Sequence, residues 1–159
     1  MDEFPGVKIA RVTQADEALF AACQRLVPQL TDTAPPPTRA ELELLVASPC
    51  SLLFMAQHAD FGSADLGGEI IGLATLLLYR VPTGLRGYIE DVVVDERARG
   101  HRIGEALTWA LLDAARQAGA PYVGLTSNPS RVAANRLYQK MGFELRQTNV
   151  YRYLFPKVG

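Results

Sequence analysis

Apolar and polar positions along this chain alternate in some stretches and recur at three and four in others, and these two periods predict its elements. Val7 to Val12 alternates as a first strand, and Thr13 is a fitting N-cap for a helix that opens on Asp16 and Glu17. Ala18, Leu19, Ala22, Leu26 and Val27 form that helix's apolar face, and it stops near Pro28 to Leu30. Thr31 to Thr38, TDTAPPPT, carries three consecutive prolines and reads as a stiff extended connection. Thr38 then caps a short second helix through Val46, ended by Ser48-Pro49. Ser51 to His58 and Glu69 to Tyr79 are apolar strands, and the Gly- and Asp-rich segment Ala59 to Gly68 is their hairpin loop. Val81 to Arg86, with Pro82 and Gly84, turns the chain back once more.

The centre of the pattern is Tyr88 to Gly104, YIEDVVVDERARGHRIG. Tyr88 to Val94 reads as a strand buried on both faces, except that it carries the adjacent carboxylates Glu90 and Asp91. A charged turn, Asp95 to His101, leads into Ile103, Leu107, Leu111 and Ala118, one face of a helix. Strand, Arg/Gly turn and helix in that order aim the unpaired N–H groups of a helix's first turn at the end of a strand, a ready site for phosphate or pyrophosphate. Gly119 and Pro121 end the helix, and Tyr122 to Thr126 is a strand that a whole-helix connection makes parallel to the central one. Ser130 starts a further helix with Val132, Ala133, Leu137 and Met141; Gly142 closes it, and strands follow at Phe143 and at Val150 to Phe155.

Composition narrows the classes. With 159 residues, 48% apolar, 21% charged and a net charge of −1, the chain reads as one soluble domain, 1–159. The near-neutral charge, without a basic run, argues against nucleic-acid binding driven by counterion release. No stretch approaches the roughly 18 consecutive apolar residues of a membrane span, and MDEFPGVK lacks the apolar core of a signal peptide. Cys23 and Cys50 have no metal-type spacing and read as reduced, partly buried thiols of a cytoplasmic protein. Trp109 falls off the Ile103-Leu107-Leu111 stripe and reads as packing against other elements or a partner subunit.

RGHRIG is neither a P-loop nor GxGxxG. It resembles R/Q-x-x-G-x-G/A, the acyl-CoA pyrophosphate loop of the GNAT superfamily of N-acetyltransferases, with Arg99 first, Gly104 last, and Arg102 where the middle glycine usually stands. Arg102 puts a side chain where backbone approaches pyrophosphate, or else points outward to pair with a phosphate. Glu90-Asp91 before three valines is similar to the glucosamine-6-phosphate N-acetyltransferase branch of that family. Ala134, Tyr138, Gly142 and Phe143 are in register with its N-x-x-A-x-x-x-Y-x-x-x-G-F segment, with Arg131 at the asparagine position. The resemblance implies an α/β GNAT fold: a mixed six- to seven-stranded sheet, helices on both faces, and a central parallel pair splayed to hold acyl-CoA. It implies acetyl-CoA as cosubstrate without a metal, an amine acceptor on a small molecule or peptide, and a homodimer through an edge formed by the terminal strands.

The chemistry constrains the roles. An acceptor amine arrives as ammonium, and a carboxylate of pKa about 4 taking a proton directly from a group of about 10 is uphill by roughly 8 kcal/mol. Burial, a like-charged neighbour and ordered water lessen that gap, which favours mid-strand Glu90 as the base. Neighbouring strand residues face opposite ways, so Asp91 either positions substrate or, if a bulge intervenes, shares the role. The alternative for both acids is a strand-end salt bridge with Arg97 or Arg80. By the resemblance, a bulge around Val92, Val93 and Val94 offers N–H groups to the oxyanion, and Arg99, Gly100, His101, Arg102, Ile103 and Gly104 hold pyrophosphate. Tyr138 serves the leaving thiolate, Asn135 binds pantetheine or an intervening water, and Asn128 is a second contact that turn chemistry also explains. TDTAPPPT is then a linker or a rigid acceptor-site wall. Arg80, Arg86, Arg146 and Arg152 are candidates for a substrate phosphate.

Overall fold

The computed structural model describes residues 4–58, 60–61 and 68–156, in two compact units, residues 1–126 and 127–159. In the first unit the order is β1 (Val7–Arg11), α1 (Glu17–Leu30), α2 (Arg39–Ala47), β2 (Ser51–His58), β3 (Ile70–Val81), β4 (Gly84–Val94), α3 (Ile103–Gln117) and β5 (Val123–Leu125). The sheet runs β1-β2-β3-β4-β5. The first four strands are antiparallel and β5 lies parallel to β4, as a helical connection requires.

The elements follow the sequence periods closely. In α1 the buried residues Leu19, Ala22, Cys23 and Leu26 make one stripe. Its N-cap is Asp16, whose carboxylate accepts from the Leu19 N–H at 2.8 Å, rather than Thr13. Thr38 caps α2 through a reciprocal pair with Glu41. β3 and β4 join through the two residues Pro82 and Thr83, so both strands run further than apolar runs alone indicate. Of the expected hairpin loop at 59–68, residues 59 and 62–67 lie outside the described residues.

Helices cover both faces of the sheet. Leu19, Leu26 and Leu42 from α1 and α2 pack with Leu53, Leu73 and Val93 on one face. On the other, α3 brings Ile103 and Leu107 so close to Gly72 that a Cβ there would lie 3.0 Å from Leu107. Cys23 is buried in the first core, and burial pushes its thiol up to about 11. Cys50 is exposed, contrary to the partial burial expected of it, and no disulfide forms.

The second unit holds α4 (Val132–Lys140), which starts two residues later than expected. Gly142 takes φ 93° just past its end. The strands expected at Phe143 and Val150 to Phe155 are not formed, so among the described residues the sheet has five strands rather than six or seven. Tyr151, Tyr153 and Phe155 alternate correctly, but they are exposed and have no ladder partner; alternation without pairing does not make a strand. Among the described residues there is thus no terminal strand edge of the kind expected to carry dimerisation.

Candidate active site

β4 is interrupted at its two adjacent carboxylates. Thr75 of β3 pairs with Glu90 and Leu73 with Val93, so two residues of β4, Asp91 and Val92, stand against the single Ala74. This is a β-bulge, and Asp91 takes it with φ 52°, a left-handed conformation that Asp and Asn tolerate better than other side chains. The extra residue shifts the alternation: Glu90 and Val93 now share the face on which α1 and α2 pack, through Thr75 and Leu73. The Asp95 N–H donates to Ile71 O at 2.8 Å on the β3 side, and strand alternation turns the Val94 N–H the opposite way, toward the β5 side.

The parallel pairing of β4 with β5 ends at Ile89 and Leu125. From Glu90 to Val94 β4 continues without β5 beside it, so a crevice opens at the carboxyl end of the parallel pair, the usual place for a ligand in such a sheet. Glu90 and Asp91 lie at the start of that crevice and are exposed, which corrects the expectation of a mid-strand burial. The bulge takes Asp91 out of the ladder, whereas Glu90 still pairs with Thr75 but lies beyond the last β4–β5 pair, where β5 no longer flanks it. Even so, partial desolvation first and the Asp91 carboxylate second raise the Glu90 pKa above the usual range, to an extent that solvent access limits. Among the described residues neither acid makes an ion pair: Arg97 engages Asp95 and Glu69 instead, and Arg86 is held by Thr83 and the Tyr122 hydroxyl.

Beyond β4 a 3-10 turn at Glu96–Ala98 leads to the loop Arg99-Gly100-His101-Arg102 and then α3. Gly100 has φ 89° and nothing within 4 Å of where a Cβ would be, so the loop's surface here is open. Arg102 is the N-cap of α3, with φ 58° and no side-chain cap on the helix. Position 102 is thus left-handed, a conformation that suits the glycine of the family's motif, and Arg102 adopts it in spite of its side chain. Its guanidinium bonds the buried carboxylate of Glu105, Nε to Oε2 at 2.9 Å and Nη2 to Oε1 at 3.0 Å, and lies 4.8 Å from the centre of the Phe4 ring. The Arg102 side chain thus folds back on its own helix. The uncapped first turn of α3, with exposed Arg99 and His101 beside it, suits a pyrophosphate. His101 also meets His58 and Phe61 edge-on, at 5.3 and 5.5 Å between ring centres.

In the second unit, Asn128 forms an Asx turn, its Oδ1 accepting from Ser130 N at 2.9 Å and Ser130 Oγ at 2.8 Å. Asn135 Nδ2 donates to Asn128 O at 2.9 Å. Both amides are therefore tied into the helix start. Tyr138 is half-buried with its ring against Phe143 at 5.6 Å, and burial raises its pKa, opposed by Arg131. Sequence reasoning missed one cluster altogether: buried Asp95 held by Arg97 and by Arg25 of α1. No spacing signals it, because Arg25 and Asp95 are 70 residues apart.

Comparison with known proteins gives this geometry its place. The model of the Acetyltransferase (GNAT) family matches residues 22–143, and the chain belongs to that family. It is 37% identical over 102 residues to N-alpha-acetyltransferase 30 of Schizosaccharomyces pombe, covering 63% of this chain and 67% of that one. Over 83 residues it is 36% identical to glucosamine 6-phosphate N-acetyltransferase of Trypanosoma brucei brucei, covering 50% and 54%. The chain spans 41% of a rat N-acetyltransferase it also matches, so it aligns with only part of these relatives. A solved Trypanosoma brucei acetyltransferase superposes with a TM-score of 0.72 at 26% identity, over 93% of this chain and 99% of that one.

Proposed function

We propose that this chain transfers the acetyl group of acetyl-CoA to a primary amine of a small molecule or peptide, by direct attack in a ternary complex. The observation that carries the reading is the bulge at Asp91 and Val92, which begins two residues past the last β4–β5 pair. The crevice opens where β5 leaves β4 after Ile89, Glu90 lies at its mouth, and the bulge follows directly and breaks the regular backbone ladder beside it. The chain's family and the fit of the α3 N-terminus to pyrophosphate support acetyl-CoA as the cosubstrate.

In this mechanism Arg99, the loop N–H groups and the first turn of α3 (Ile103, Gly104) hold the pyrophosphate, and the Val94 N–H faces the thioester oxygen. Glu90 receives the acceptor's proton through water, since its exposure makes a relay natural. Asp91 keeps the Glu90 pKa up, bringing the base nearer the amine. Tyr138, protonated at neutral pH as an ordinary tyrosine is, donates to the departing thiolate. We take 1–159 as one N-acetyltransferase domain; the family match, 22–143, runs across the division between the two units and supports this.

The test is release of coenzyme A thiol from acetyl-CoA over a panel of amines: glucosamine 6-phosphate, polyamines, amino acids, aminoglycosides and short peptides. A blank without acceptor is required because the free thiol of Cys50 is exposed to the thiol reagent. Acceptor-dependent release with one class supports the reading and names the substrate class. Coenzyme A binding without release over the whole panel would favour a non-catalytic acyl-CoA sensor.

A further inference from the structure

The strongest cluster outside the crevice joins α1 to the turn that precedes the loop. Asp95, 1% exposed, accepts from Arg97 Nε at 3.1 Å and Nη2 at 2.7 Å, and from Arg25 Nε at 3.0 Å. Arg25 also bonds the Ile70 carbonyl and pairs with Glu69 at 2.8 Å, and Arg97 reaches the same Glu69 oxygen at 3.1 Å. One turn further along α1, Gln29 Oε1 accepts from the backbone N–H of Glu96 at 2.8 Å. Ala98, fully buried, wedges the end of the same turn into the protein.

This arrangement bears on Arg99 to Gly104 because the ties of that loop lie at its far end, His101 against His58 and Phe61 and Arg102 on Glu105, while its first two residues are held little. Gly100 touches nothing near its missing Cβ, and the Arg99 N–H reaches Glu96 O only at 3.4 Å. Downstream the loop is anchored by Arg102 on Glu105. Upstream its anchor is the turn Glu96–Ala98, and the position of that turn is set by a helix about 67 residues earlier in the chain. We infer that Gln29, with Arg25 behind it, is a positioning residue for coenzyme A: α1 sets the entry of the pyrophosphate loop from outside. The inference rests on reading residues 99–104 as that loop. It also ties cosubstrate binding to the Thr31–Thr38 connection, which begins two residues after Gln29.

Gln29 allows a clean test, because its bond to Glu96 is exposed and water replaces it when it is lost, whereas removing Asp95 endangers the fold. Gln29→Met keeps length and removes the acceptor; Gln29→Glu keeps an acceptor oxygen. Binding of coenzyme A, measured by calorimetry on the full chain beside the melting temperature, is expected to weaken about three- to tenfold in Gln29→Met, at a melting temperature within a few degrees of the parent. Gln29→Glu is expected to recover most of the affinity. Unchanged affinity in Gln29→Met, or a loss that tracks the melting temperature and that Gln29→Glu does not restore, overturns the inference and leaves the acetyltransferase reading standing. No binding of coenzyme A by the unaltered chain overturns both.

Discussion

Arg102 grips Glu105 two-pronged from a left-handed backbone, at 2.9 and 3.0 Å. The strain of a non-glycine residue there costs about 1–2 kcal/mol, and a two-point bond to a buried carboxylate is worth about 1.5–3 kcal/mol. The bond outweighs the strain. Arg102→Gly is therefore expected to lower stability by roughly 1 kcal/mol despite restoring the family's residue. Adding Glu105→Gln should recover that loss, and a thermal or urea double-mutant cycle measures the coupling. A single Arg102→Gly variant more stable than the parent would show that strain dominates.

Glu90 and Asp91 are read through the pH dependence of turnover. A base whose pKa is raised loses activity as pH falls through that raised value, so the acid limb of kcat/KM should lie above the ordinary carboxylate range of about 4. Asp91→Asn keeps a residue that tolerates φ 52° and removes the neighbouring charge; the limb is expected to move to lower pH. Glu90→Gln should lose the limb and about a hundredfold in rate. A limb that stays in place in both variants would assign it to another group.

Much of this was legible in the sequence, and the reasons differ by element. Strands β2 and β4 and helix α3 declare themselves because their burial is periodic and local, and RGHRIG stands out because its residue types are unusual between a strand and a helix. The exposure of Glu90 was not legible: the bulge depends on the register between β3 and β4, and register is a relation between two strands. Tyr151, Tyr153 and Phe155 show the converse, a strand pattern without a partner to pair with. The Arg25–Asp95 contact is likewise a product of topology, which brings α1 over the end of β4.

Asp95 should govern acid stability. Its hydrogen bonds with Arg97, and then with Arg25, hold its carboxyl far below the usual range. A depressed carboxylate contributes stability that is fully present above its unfolded pKa of about 3.9 and is lost as pH falls toward its folded value. Asp95→Asn is expected to cost about 2–3 kcal/mol at pH 7, less than a wholly buried pair because both arginines are partly exposed. Urea unfolding at pH 7 and pH 3 checks this: the difference between parent and variant should shrink at the lower pH. An equal difference at both would mean that the charge of Asp95 is not what matters.

Tyr138→Phe separates leaving-group assistance from packing. The ring contact with Phe143 survives the change, so the melting temperature should hold. Loss of a hydrogen bond to a developing thiolate is expected to lower kcat about ten- to a hundredfold, with the KM for acetyl-CoA little altered. Unchanged kcat would remove Tyr138 from the mechanism.

The central claim is direct transfer, and it is tested by the initial rate of acceptor-dependent coenzyme A release with acetyl-CoA and amine both varied. Attack within a ternary complex gives reciprocal plots that intersect, and that is the expected result. Parallel lines, or release that proceeds at full rate without any amine, would indicate a covalent acyl-enzyme or plain hydrolysis and would contradict it.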